Sequence, residues 1–380
     1  MSAKSVCARC VLDDTVPGIR FDDWGVCNHC GLYDKLDRKF ARTVESESRF
    51  LRLIDKIKAK GKDNAYDCVI GLSGGTDSSY CLCMARKLGL RPLAVHFDNG
   101  WVSEVARQNI DRLSKALDVD LITVGADWSE LRDYYRACLE ASIPEMCLPC
   151  MVGITSSLYE AASELGIRYI ILGTSFRTEG LTPARWYYWD GAYFDTVIKS
   201  FGVRNGQSHK FNKMRLSDFA RYVVINGIRT IQLPLYVEYR DADIKRTLKE
   251  EVGWQDGGYH HFDCMYKPFL AYVQAKKFNM DLRMISLSAQ VRGGAMARAE
   301  ALRILQEPAF PSNGTAIDYC MKKLGLTPGE LRQILASDTK SFLDYHSYYD
   351  YMRPLRPLAK ALGRLNLVPE TFYERYFELV

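Results

Sequence analysis

Between Tyr66 and Leu172, short apolar runs alternate with longer stretches whose apolar residues recur every three or four positions. Tyr66–Leu72, Pro92–Phe97, Asp120–Val124 and Tyr169–Leu172 read as strands; Ser78–Leu88, Val102–Leu117, Trp128–Ala141 and Met151–Leu165 read as helices. A charged amphipathic helix is predicted ahead of them over 46–61, with Phe50, Leu51, Ile54 and Ile57 at helical spacing. Strands alternating with helices predict an α/β fold with a parallel sheet covered on both faces. After Gly173 the period is lost. Residues 176–225 are rich in Tyr, Trp, Arg and Asn and read as a substrate-facing insertion with some helix. Ile228–Leu233 is a further strand, and from about 241 the chain reads as mainly helical, broken at Gly257-Gly258 and at several prolines. Residues 1–40 show little regular period. Three units are therefore expected: 1–40, 41–240 and 241–380.

Composition narrows the class. The chain has 380 residues, 47% hydrophobic, with a net charge of +5. It is long enough for a well-buried core, and its charge admits a nucleotide without calling for a polynucleotide. No apolar run is long enough to span a bilayer, and Met1–Cys7 carries no signal-peptide pattern, so a cytoplasmic protein with no membrane partner is expected. In that reducing compartment the 12 cysteines point to metal, reactive thiols or burial rather than disulfides.

Candidate chemistry begins at Ser73-Gly74-Gly75-Thr76-Asp77-Ser78-Ser79, between a predicted strand ending at Leu72 and a predicted helix. Gly74 and Gly75 let backbone amides approach a phosphate, and the helix N-terminus adds its positive dipole end. Ser73, Ser78 and Ser79 offer hydroxyls. Asp77 beside phosphates makes sense if it meets Mg²⁺. The Gly-Lys-Ser/Thr ending of a Walker A loop is absent. The loop resembles the PP-loop ATP pyrophosphatases, whose Ser-Gly-Gly-x-Asp-Ser pattern Ser73–Ser78 matches at every fixed position. That resemblance implies ATP cleaved between its α- and β-phosphates, with Asp77 and Ser73 in the chemistry. It also implies nucleotide contacts at His96, Phe97 and Asp98, and at Gly173 and Thr174, where two later strands end.

Cys7-x-x-Cys10 and Cys27-x-x-Cys30 have the spacing of a Cys₄ zinc ribbon. Cys147-x-x-Cys150 cannot fill a coordination sphere alone; Cys264 is its one obvious late partner. These three resemble the cysteines that hold a [4Fe–4S] cluster in Fe–S-dependent tRNA thiolases. A second zinc site drawing on His260 or His261, and plain buried thiols, are the alternatives. His260 and His261 are also candidates to orient ammonia or contact substrate. Trp186, Tyr187, Tyr188 and Trp189 offer an apolar wall for a sugar, and Arg177, Arg185 and Arg204 offer charge for a diphosphate. Ordinary packing and solvated arginines are the competing reading. Asp98 and Asp190 read equally as Mg²⁺ or sugar-hydroxyl partners and as turn or cap carboxylates.

Taken in order, the ribbon, the loop, Met146–Cys150, Leu172–Ser175, the aromatic insertion, His260–Cys264 and Arg292–Leu302 resemble the N-acetyl sugar amidotransferase family of bacterial surface-polysaccharide (LPS O-antigen) synthesis. The resemblance implies ATP-driven adenylation of an acetamido oxygen on an N-acetylated nucleotide-linked sugar. Ammonia from a separate glutaminase subunit then expels AMP and leaves an acetamidino group. The rival reading is an ATP-dependent tRNA thiolase, against which the weak positive charge and the lack of a second C-terminal zinc ribbon speak.

Overall fold

The computed structural model describes residues 5–202, 211–237, 241–258, 263–310, 314–369 and 371–379. At its centre lies a five-stranded sheet of β1 (Cys68–Gly71), β2 (Pro92–Asp98), β3 (Leu121–Gly125), β4 (Tyr169–Leu172) and β5 (Arg229–Gln232). The order is β3-β2-β1-β4-β5, and every neighbouring pair is parallel. The expected α/β architecture is thus the observed one: a parallel sheet, a four-cysteine cluster ahead of it and a helical C-terminal region.

Strand pleating explains the double cover. Cys68, Ile70, Ala94, Tyr169 and Ile171 point to one face, where helices Val44–Gly61, Thr76–Lys87, Glu104–Ala116 and Asp241–Val252 contribute to a shared core. Val69, Leu93, Val95 and Ile170 point to the other, against helix Leu148–Glu164 and the turn of helix at Arg221–Ile225. A larger aromatic core joins helices Trp128–Glu140 and Gly191–Phe201 to Lys267–Phe278 and the C-terminal helices. Among the described residues no helix is long and apolar enough to cross a membrane.

Two local features depart from the expected elements. Helix Asn28–Lys39 lies within the segment read as irregular. Its N-cap is Cys27, and it buries His29, Cys30, Leu32, Tyr33 and Leu36. Helix Leu148–Glu164 begins three residues earlier than expected, with Cys147 as N-cap and Pro149 in its first turn, where a missing N–H costs nothing.

Candidate functional site

β1 delivers the loop to the C-terminal edge of the sheet, at the point where strand order reverses between β1 and β4. Crevices at such switch points are where open α/β sheets bind ligands. Gly74 has φ +81, and a Cβ there would stand 2.3 Å from the carbonyl oxygen of Ala106, so only glycine fits. Its own carbonyl accepts from Trp254 Nε1 at 3.0 Å and from Asn109 Nδ2 at 3.1 Å, which holds the peptide rigid. The Gly75 amide donates to Ser73 Oγ (3.2 Å), the Ser73 amide donates to Ser78 Oγ (3.1 Å), and the two hydroxyls lie 3.2 Å apart. The loop is therefore closed on itself by hydroxyls that a phosphate could recruit. Ser79 is fully buried, and its hydroxyl has no partner among the described residues.

The neighbouring strand ends converge here. A Cβ on Gly173 would meet Asp77 at 3.1 Å, so β4 ends against the first turn of helix Thr76–Lys87. Thr174 is exposed and its hydroxyl accepts from Gln232. On the other side, buried His96 donates Nδ1–H to the Leu72 carbonyl at 2.8 Å. Burial pushes the His96 pKa below its ordinary value, partly opposed by that bond. Phe97 is buried, and Asp98 closes a turn by accepting from the Gly100 amide at 2.9 Å.

Two further residues, Asp263 and Lys267, reach this edge from the C-terminal region; sequence reasoning assigned them no role. The segment from 263 to 265 is pinned beside the loop after β2. The Ser103 amide donates to the Asp263 carbonyl (3.1 Å), the Met265 amide to the Trp101 carbonyl (2.7 Å), and Val102 and Cys264 form an antiparallel bridge. A Cβ on Gly75 would stand 3.1 Å from Asp263 Oδ2. The one signal in the sequence was the clustering of polar and thiol groups over His260–Cys264.

Cys147, Cys150 and Cys264 gather next to this strap. Each thiol is half-buried, Cys150 Sγ accepts from Asn99 Nδ2 at 3.0 Å, and charge on any of the three would be felt by Tyr135 beside them. Burial pushes Cys264 up to about 12 and Cys150 up to about 11, the latter eased by Asn99. Burial also works against the charge of Lys267, but Cys147, Cys264 and Asp263 outweigh it and raise its pKa. Among the described residues only Cys7, Cys10, Cys27 and Cys30 form a group of at least three Cys, His or acidic donors within 4.8 Å of one another. The three later thiols are thus spaced more widely than a mononuclear ion needs. His260 and His261 lie outside the described residues, as does Arg204.

The N-terminal four are different. Neighbouring sulfurs lie 3.7 Å (Cys10–Cys27), 3.7 Å (Cys27–Cys30) and 3.9 Å (Cys7–Cys30) apart. Tetrahedral metal–sulfur bonds of about 2.3 Å give sulfur–sulfur edges of about 3.8 Å, so the donor set fits one four-coordinate ion. Cys7 Sγ accepts backbone amides from Cys10 (3.4 Å) and Cys27 (3.3 Å). Arg292 donates to Cys30 (3.2 Å) and Cys10 (3.1 Å), and Arg298 to the carbonyls of Cys7 and Cys10. Both arginines are spent on this knuckle.

The aromatic insertion divides. Trp186 is buried against the cysteine knuckle with Met280, Met284 and Ile285, and Tyr188 stacks on Phe342 at 4.2 Å. Asp190 caps helix Gly191–Phe201, accepting from the Tyr193 amide at 2.7 Å, and also accepts from Tyr188. Arg177 donates to Asp37 and to the Phe40 carbonyl, tying the insertion to helix Asn28–Lys39. Tyr187 is half-buried. Arg185 is exposed and, with Trp186 and Lys340, lines an open cleft of about 190 Å³.

Residues 256–356 match the family described as LPS biosynthesis protein WbpG-like, C-terminal domain. The chain is similar to the uncharacterized protein MJ1599 of Methanocaldococcus jannaschii, 27% identical over 309 residues, which cover 80% of this chain and 94% of that protein. Among solved structures it is similar to NMN synthetase from Francisella tularensis (14% identity, 74% of this chain and 96% of that one, TM-score 0.36). It is also similar to the U34-tRNA thiolase NcsA from Methanococcus maripaludis with its [4Fe-4S] cluster (15%, 85% and 98%, TM-score 0.31). Scores this low bring no activity across.

Proposed function

We propose that this chain, whose C-terminal region is WbpG-like, is an ATP-dependent, AMP-forming amidotransferase of surface-polysaccharide synthesis. Its substrate is the acetamido group of an N-acetylated, nucleotide-linked sugar. The acetamide oxygen attacks the α-phosphorus of ATP and pyrophosphate leaves. Ammonia then adds to the activated carbon and AMP departs with the former amide oxygen, leaving an acetamidino group. The observation that carries this reading is the strap at 263–265: the region matching the LPS-biosynthesis family lies directly against the glycine loop.

In this reading the amides of Gly74 and Gly75 and the hydroxyls of Ser73 and Ser78 hold phosphate oxygens, Ser79 lies buried behind them, and Asp77 holds the Mg²⁺ that neutralises them. Hard carboxylate and hydroxyl oxygens at the loop suit that ion. Leu72, His96, Phe97, Asp98, Gly173 and Thr174 border the nucleoside. Arg185 and Tyr187 are assigned to the sugar carrier; Trp186, Tyr188 and Arg177 are engaged in packing and hydrogen bonds elsewhere in the fold. His260 and His261 sit two to three residues before the strap and are assigned to ammonia or substrate. Zinc fills the N-terminal Cys₄ site in a structural role, since no ligand position is left open. Cys147, Cys150 and Cys264 hold a second metal group, zinc or an Fe–S cluster. A separate glutaminase supplies ammonia, and the protein works in the cytoplasm.

The test is turnover with ATP, ammonium and a panel of nucleotide-linked di-N-acetyl sugars carrying ¹⁸O in the acetamide. The expected result is a product in which O is exchanged for NH, with ¹⁸O in AMP. Sulfur incorporation into tRNA, with no sugar product, would instead establish the thiolase.

A further inference from the structure

The glycine loop of this chain is built for anions, yet a carboxylate stands in its mouth. Asp263 Oδ2 and Ser73 Oγ both lie within contact distance of the point where a Gly75 Cβ would be, at 3.1 and 3.3 Å. The placement of the Asp263 backbone is not incidental. It is fixed by the Ser103 amide on its carbonyl, by the Val102–Cys264 bridge immediately after it and by the Met265 amide on Trp101. Its charge reaches His96 at the end of β2, as do those of Asp98 and, with opposite sign, Arg107.

A phosphate chain entering the loop meets Asp263 at close range. Like charges at contact distance repel and oppose what the loop's donors offer. A hard divalent cation between carboxylate and phosphate reverses the sign. Mg²⁺ takes oxygen ligands at about 2.0–2.1 Å and is held by one or two carboxylates plus substrate phosphates. Lys267, on the same strap, lies within electrostatic reach of Asp263.

We propose that Asp263 is a ligand of the divalent cation that enters with the nucleotide, so that the C-terminal region supplies a metal ligand to the loop of the parallel-sheet domain. This rests on the reading that the loop binds ATP. It makes nucleotide binding dependent on the strap, so that ATP and cation together tie the C-terminal region to the sheet.

The experiment compares wild-type protein with Asp263→Asn and Asp263→Ala by calorimetric titration with ATP, first in EDTA and then with Mn²⁺. Mn²⁺ immobilisation is followed separately by electron paramagnetic resonance. The expected result is that Mn²⁺ tightens ATP binding at least tenfold in the wild type and much less in both variants. Their metal-free ATP affinity should be equal to or better than wild type, and the bound-Mn²⁺ signal should be lost. A second readout is Asp263→Cys, which should bind ATP more tightly with Cd²⁺ than with Mg²⁺. Variants that keep the wild-type Mn²⁺ dependence would overturn the proposal while leaving ATP binding intact. Wild-type protein that binds no nucleotide with or without Mn²⁺ would overturn the ATP reading itself. Variants that bind ATP more tightly under every metal condition, with no change in the Mn²⁺ signal, would make Asp263 an occluding group and also overturn it.

Discussion

Arg292 donates its Nε–H to the sulfur of Cys30 at 3.2 Å, across 262 residues of sequence. The second arm of the same guanidinium reaches Cys10 at 3.1 Å. Burial works against the charge on Arg292, but the Cys10 and Cys30 sulfurs outweigh it and raise its pKa. Four thiolates around a divalent ion carry a net negative charge, and Arg292 is placed to neutralise part of it.

Replacing Arg292 by Gln should therefore loosen the metal rather than unfold the sheet. Groups that hydrogen-bond to metal ligands typically account for about 10–100-fold in affinity. Zinc release to a chromogenic chelator should accelerate by a comparable factor in the variant. Arg292→Lys should recover only part of the loss, because an ammonium cannot reach two sulfurs in one plane. Equal release rates in wild type and both variants would show that Arg292 only packs there.

Gly74→Ala tests the loop. The added methyl would collide with the Ala106 carbonyl, and φ +81 is itself unfavourable for alanine. Left-handed strain costs about 1–3 kcal/mol, and the clash forces the peptide off Trp254 and Asn109 as well. Nucleotide affinity should fall by at least tenfold while the melting temperature drops by only a few degrees. Trp254→Phe, which removes one bond to the Gly74 carbonyl at about 1 kcal/mol, should give a smaller loss in the same direction.

The parts of this fold that were legible before the structure are those carried by local period. β4 coincides with its predicted span because Tyr169-Ile170-Ile171-Leu172 is bounded by Gly166 and Gly173. The ribbon was legible because Cys-x-x-Cys spacing is a local constraint. Helix Asn28–Lys39 was not, because its buried face is short and two of its five residues are His29 and Cys30, at the cysteine knuckle. Trp186 and Tyr188 illustrate the other limit: an aromatic run shows that something is covered, but not whether by ligand or by core. Asp263 was hidden because its significance depends on a backbone bridge to Val102, a pairing with no period to announce it.

His96 gives a pH dependence with a definite sign. Its pKa is depressed in the folded protein by burial, so below about 6.5 the unfolded chain binds more protons than the folded one. Stability should thus be complete above that value and decline as pH falls toward the folded pKa. His29, pushed down to about 4 by burial and by Arg292, acts in the same direction. His96→Asn keeps a donor for the Leu72 carbonyl but cannot titrate. Between pH 6.5 and 5 its stability should fall less steeply than wild type, by up to about 1.4 kcal/mol per pH unit. Parallel slopes in urea titrations of the two proteins would show that His96 contributes nothing to the acid sensitivity.

Cys264 decides what the three later thiols are for. They could be packing groups, since Cys147, Cys150 and Cys264 all lie against the aromatic core that contains Tyr135 and Tyr266. Against that, Asn99 is aimed at one of them, Cys150. Among the described residues they do not form the compact donor set of the N-terminal site. Anaerobic reconstitution with iron and sulfide should load about four irons per chain with visible thiolate-to-iron absorption if a cubane cluster forms. Cys264→Ser should abolish that loading while leaving the zinc of the N-terminal site in place, so the two metals report the two sites independently. A Cys27→Ser control should do the reverse, losing zinc and keeping iron. If Cys264→Ser retains wild-type iron, or if neither protein takes up iron and zinc stays at about one per chain, the three thiols belong to the core and not to a metal.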